Sequence, residues 1–144
     1  MPHFPFDAKL WAIGRQIEDD ALPLLNSRYE CDFKRNENDI FDILDFKDDD
    51  KKIIVEVKGR RNAHDKYKET IITASKITAG YLAIEQGYKV YFIFVFNNNK
   101  IFEYELKDGA AFNCKYTGTN CIQHYLIPIK ECKEIKEHVE PEAE

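Results

Sequence analysis

Glu56 and Lys58 stand two residues apart at the end of an apolar run, Ile53-Ile54-Val55, and Gly59, Arg60 and Arg61 follow at once. On an extended chain a carboxylate and an ammonium spaced by two project from the same face. A cross-strand salt bridge at a solvated strand end has the same appearance, so the surrounding residues decide between the two. Asp42 lies on the preceding apolar segment, Ile40 to Phe46, beyond a charged stretch, Lys47 to Lys52, that suits a hairpin turn. Two carboxylates meeting at one end of a sheet form a hard oxygen site of the kind Mg²⁺ or Mn²⁺ prefers, and the backbone carbonyl of Val57 adds a further oxygen. An ion held there activates water and stabilises charge on a phosphate. Lys58 is then placed to orient that water or to neutralise the transition state. Asp45 competes with Asp42 as the second-strand acid. It stands three residues on, and alternation turns it, with Asp39, to the opposite face, so Asp42 is the expected acid.

These residues need elements to hold them. Residues 8–22 read as a helix with Asp7 as its N-cap, and Pro23 is expected to break or kink it near its end. Leu10, Ile13, Ile17, Ala21 and Leu24 recur at helical spacing as one buried face. Glu18 falls inside that apolar arc, where a carboxylate needs a partner or an ion, whereas Asp19 and Asp20 lie outside it or at its other edge. Strands are expected over 29–35, 40–46 and 53–58, with Asn36-Glu37-Asn38 as a polar loop. Residues 65–86 read as a second helix stopped by Gly87, with Tyr67, Ile71, Ala74, Thr78 and Tyr81 or Leu82 as its buried stripe. Val90 to Phe96 is apolar on both faces, as an interior strand requires. Strand, helix and strand in succession imply a crossover and a parallel pair in a mixed sheet. Further strands are expected over 101–106 and 125–129. The chain thus reads as one α/β domain, 1–130, with an acidic and flexible tail, 131–144.

Composition narrows the class. Hydrophobic residues make up 44% and charged residues 33%, which suits a soluble globular domain. No apolar run is long enough to span a membrane, and the N-terminus has no signal-peptide pattern, so a cytoplasmic, intracellular location is expected. The net charge of −5 argues against coating nucleic acid by bulk charge, but its distribution is uneven. From Lys58 to Lys76 six basic residues face two acidic ones, while from Glu131 to Glu144 six glutamates face two lysines. A basic segment on an acidic protein can still hold a phosphate backbone. Cys31, Cys114, Cys121 and Cys132 form no CxxC pair. Zinc held by Cys114, Cys121, His124 and Cys132 matches no common spacing, and free thiols are the expected state.

Asp42, thirteen intervening residues, then Glu56-Val57-Lys58 resembles the D…(D/E)xK core of the PD-(D/E)XK nuclease superfamily. The resemblance implies a restriction-endonuclease-like α-β-β-β-α-β core with a mixed central sheet flanked by helices, and extra C-terminal strands. It implies that the acids bind divalent metal and that the lysine assists phosphodiester hydrolysis. Within the superfamily the chain is most similar to archaeal Holliday-junction resolvases and related small restriction-like nucleases. Their first helix carries a Gly-x-Gln-x-Glu pattern, matched by Gly14, Gln16 and Glu18, which implies an accessory metal or water-ligand role for Glu18. The resemblance also implies a homodimer, since two cuts need two sites. Departures are Phe41 in place of the superfamily's proline, Asn36, Glu37 and Asn38 where the resolvases often carry serine, and no Gln-x-x-x-Tyr pair in the second helix.

Arg60, Arg61, Lys66 and Lys76 follow Lys58 directly and are expected to contact DNA phosphates, with Lys34 and Arg35 as weaker candidates. His64 reads as a surface histidine and the 91–96 aromatics as core. The sequence reading is therefore a Mg²⁺-dependent DNA endonuclease. A non-catalytic DNA-binding or assembly module on the same fold, an exonuclease, and RNA cleavage are the alternatives.

Overall fold

The computed structural model describes residues 7–36, 44–118 and 121–135. Asp7 opens helix α1 (Ala8–Tyr29), its Oδ1 accepting the backbone N–H groups of Lys9 and Leu10 at 3.0 and 3.1 Å. Pro23 does not end this helix, contrary to the sequence expectation. A helix-interior proline costs about 3 kcal/mol, but the last turns are anchored on both sides of it. Ala21 and Leu25 are buried, and burying a leucine contributes about 1.5–3 kcal/mol. Arg28 donates to Glu103 at 2.9 Å, and the Tyr29 hydroxyl donates to the same carboxylate. The helix stops at Glu30, which adopts a left-handed backbone (φ 53°).

The longer helix consumes what was expected to be the start of the first strand. Only β1 (Lys34–Arg35) remains, paired antiparallel with β2 (Phe46–Asp48). Residues 37–43, which include most of the expected second strand, lie outside the described residues. A four-residue turn, Asp49 to Lys52, leads into β3 (Ile53–Gly59). The expected helix over 65–86 is also corrected. Its first part is β4 (Glu69–Thr73), and only Ala74–Glu85 forms helix α2. The run Thr70-Ile71-Ile72-Thr73 is β-branched throughout, which favours a strand over a helix. The buried face of α2 is accordingly Ile77, Ala79, Gly80 and Ala83, while Thr78 and Leu82 are exposed. Gly87 stops the helix as expected, at φ 92°.

The remaining strands are β5 (Lys89–Val95), β6 (Ile101–Leu106), β7 (Asn113–Thr117), β8 (Ile122–Pro128) and β9 (Lys133–Ile135). One mixed sheet has the order β1-β2-β3-β5-β6-β9, with β3 and β5 parallel; a second has the order β4-β8-β7. Three residues of the expected tail thus form an edge strand, β9. They do so because Ile135 buries against the α1 side of the sheet.

Each face of the large sheet has its own core. Val55, Val57 and Ile93 pack with Ala21 and Leu25 of α1. Ile54, Val90, Phe92 and Phe94 pack with Ile77 and Ala83 of α2 and with Ile72 and Ile127 of the small sheet. Alternation along β3 therefore aims Glu56 and Lys58 at the α2 side. Leu25→Ala should lower the free energy of unfolding by about 2–5 kcal/mol in urea titration, since the leucine that seats α1 is wholly buried.

Candidate active site

Glu56 is a carboxylate near the end of the central strand β3, with only 6% of its side chain exposed. Its Oε1 accepts the backbone N–H of Asp45 at 3.0 Å, and its Oε2 lies 3.1 Å from Lys76 Nζ on α2. Asp45 replies across the hairpin, its Oδ2 accepting the Val57 N–H at 2.8 Å. The register explains this reciprocity. Phe46 pairs with Val55, so the next residue back, Asp45, stands opposite Glu56 and shares its face. The expectation that alternation turns Asp45 away is corrected. Asp42, the acid preferred from sequence, lies outside the described residues.

Burial raises the Glu56 pKa well above the ordinary carboxylate value; Asp45 raises it further and Lys76 opposes both. Two hard oxygen groups, one of them desolvated beside a like charge, make a place that calls for a cation. Lys76 meets part of that demand. Among the described residues no three Asp, Glu, His or Cys side chains gather as a metal cluster. The donors nevertheless suit a hard divalent ion: Asp45, Glu56 and the Val57 carbonyl, with Glu18 as an accessory at the rim.

Glu18 reaches the cleft from α1, as its place on the helix suggested. Its Oε1 is 2.6 Å from the Arg35 guanidinium, which also holds Asp19 at 3.0 Å and lies over the Phe46 ring. Burial raises the Glu18 pKa, Arg35 opposes the shift, and Asp45 adds to it. Arg35, a weaker candidate for a phosphate contact on sequence grounds, is thus engaged in this latch. Gly59 permits the approach of α1, because a Cβ there would stand 2.6 Å from Ile17 Cδ1.

Asp45, Glu56, Lys58, Arg60, Arg61 and Lys76 line one cleft of ≈ 800 Å³, with Glu18 and Gly14 on its α1 wall. Lys58 and Arg61 are exposed in it. Arg60 is half-buried, its Nε without a hydrogen-bond partner, and burial lowers its pKa. Lys66 lies over the Tyr67 ring outside the lining of this cleft, and exposed Lys34 pairs with Asp32 at 3.1 Å. His64 stacks on Phe102 and meets Asn98, away from the carboxylates. The four cysteines are free, and burial pushes the Cys132 thiol up to about 12. Lys76, expected only as a phosphate contact, is the residue whose position sequence reasoning missed. Once residues 69–73 are a strand, the short helix after them brings its first turn to Glu56.

Because the folded chain binds the Glu56 proton more tightly than the unfolded chain, this group's contribution to stability falls as pH rises from the ordinary carboxylate value towards its raised one. Glu56→Gln should therefore melt roughly 2–4 °C above the parent at pH 8. The gap should close as pH falls through that window, as followed by calorimetry.

No family model and no curated protein matches the chain. Among solved structures it is similar to Hjc, a Holliday junction resolvase of Archaeoglobus fulgidus. The TM-score is 0.57 at 15% identity, over 85% of this chain and 91% of that one. At that identity the likeness concerns the fold: a mixed α/β, restriction-endonuclease-like fold, as the element order had suggested.

Proposed function

We propose that this protein is a divalent-metal-dependent nuclease that hydrolyses phosphodiester bonds in DNA. The observation that carries the reading is the meeting of buried Glu56, cross-strand Asp45 and exposed Lys58 in one basic-walled cleft. The fold likeness to a resolvase supports it. A Mg²⁺ or Mn²⁺ ion would supply a water of lowered pKa and a charge against the scissile phosphate. Asp45, Glu56 and the Val57 carbonyl would hold it, with Glu18 at the rim.

The chain's own residues do the rest. Asp45 and Glu56 each take a backbone N–H from the opposite strand, so neither carboxylate swings freely and the hairpin fixes their spacing. Lys58 extends from the face that carries Glu56 into the open part of the cleft. There it can donate to the attacking water or to a phosphate oxygen. Arg60 and Arg61 bring cationic charge to the same cleft and hold the flanking backbone; Lys66 and Lys34 are more distant contacts. Arg35 acts indirectly by holding Glu18. A homodimer, acting on a branched duplex in recombination or repair, is the assembly that the likeness to Hjc suggests.

The test is incubation with Mg²⁺ or Mn²⁺ and four-way junction, flap, linear duplex, single-stranded DNA and RNA substrates. Cleavage of the junction or another DNA is expected. Absence of cleavage together with absence of metal binding by calorimetry overturns the reading. Lys58→Ala should cut at least about 100-fold more slowly while keeping DNA affinity. In a paired comparison Asp45→Asn should abolish metal-dependent cleavage while Asp42→Asn retains it; the reverse result would return the role to Asp42.

A further inference from the structure

Beside the cleft lies a second, smaller cavity of ≈ 120 Å³, walled by Glu56, Lys58, Arg60, Thr73, Lys76 and His124, with Ile71 and Ile72 completing the lining. Four of the eight lining side chains are cationic or can become so, and they arrive from β3, the segment after it, α2 and β8. His124 reaches this wall because β8 pairs with β4, setting it opposite Thr73. Its Nδ1 lies 2.8 Å from the Ile122 carbonyl, an oxygen that can only accept, so Nδ1 carries the proton and Nε2 is the nitrogen left to meet a ligand. Arg60 contributes a buried Nε with no hydrogen-bond partner. Thr73 is the N-cap of α2, and no side chain caps that helix end, which favours negative charge nearby. Glu56 is the one anion of the wall, and Lys76 is already set against it.

We infer that this cavity binds a phosphate monoester, the terminal phosphate of a nucleic-acid strand whose adjoining backbone lies in the cleft. The inference rests on the nuclease reading and adds a substrate class to it. Size is the first argument. At ≈ 120 Å³ the cavity has room for a phosphoryl group. A terminal phosphate enters with its single sugar left in the cleft, whereas a diester has to bring a sugar on each side to the same opening. Charge is the second argument. A monoester carries about −1.5 to −2 at neutral pH, against −1 for a diester, and so matches a wall with this excess of cations. Proton inventory is the third. The monoester's second ionisation lies near 6, so it can bring an O–H of its own to donate to the unprotonated Nε2. A diester has no such proton to share.

The experiment measures binding of the full-length protein, without added divalent metal, to one short DNA duplex bearing 5′-phosphate, 3′-phosphate or only hydroxyl ends. A parallel NMR titration with inorganic phosphate follows the His124 ring. One phosphorylated end should bind about tenfold more tightly than hydroxyl ends, and inorganic phosphate should shift the His124 resonances. His124→Asn should erase the preference while leaving affinity for the hydroxyl-ended duplex unchanged, and Arg60→Met should weaken both. Equal affinity for all three ends, or a preference that survives His124→Asn, overturns the inference and leaves the nuclease reading standing. If inorganic phosphate shifts His124 but no duplex of any kind binds, the nucleic-acid strand is the wrong ligand for the cavity and the inference falls, while cleavage and metal binding still decide the nuclease reading.

Discussion

The arrangement depends on a carboxylate held where water cannot solvate it. Glu56 stays in the wall of the sheet because a backbone N–H reaches one oxygen and an ammonium the other. Removing either would leave a buried anion, a cost of several kcal/mol. Asp45 makes the position harder to ionise and at the same time more attractive to a cation. Stability and chemistry therefore pull against each other at this residue, as is usual where a protein keeps a charged group ready for use.

Around Glu56 each element has a definite task. The β2–β3 hairpin delivers two carboxylates from opposite strands in one register. Helix α2 delivers Lys76 from the face of the sheet that carries Glu56, and α1 delivers Glu18 from the other. The small β4-β8-β7 sheet delivers His124 from a part of the chain more than sixty residues away. The cleft is thus a junction between two cores.

The α1–β3–α2–β5 framework was legible in the sequence because long periodic segments and a doubly apolar strand carry strong signals. Gly87 and Asp7 marked their boundaries by backbone chemistry alone. The β4 strand was not legible, because a β-branched run next to a helix offers no break in periodicity. Its partner, β8, comes fifty residues later. Glu56, Lys58 and Glu18 were legible as a group, and the cleft does bring them together. Asp45 was missed through parity. The turn from Asp49 to Lys52 has four residues, and any even-length turn sets an odd-numbered residue of the first strand opposite Glu56. Counting turn residues before assigning faces would have found it. Arg35 and Lys76 could not be separated from other surface cations, since what distinguishes them is a partner distant in the chain.

Gly59 has a mechanical meaning. With no side chain at that point, α1 rests directly on the strand through Ile17, and the next residue of the helix is Glu18, which lines the cleft. The thickness of that contact sets how far the rim carboxylate stands from the hairpin pair. Residue 59 therefore acts as a shim: a methyl group there would meet the end of the Ile17 side chain, on the face turned away from Asp45 and Glu56. The seat of the rim helix and the chemistry at the floor of the cleft lie on opposite faces of one strand, so selection or design can alter one without rebuilding the other.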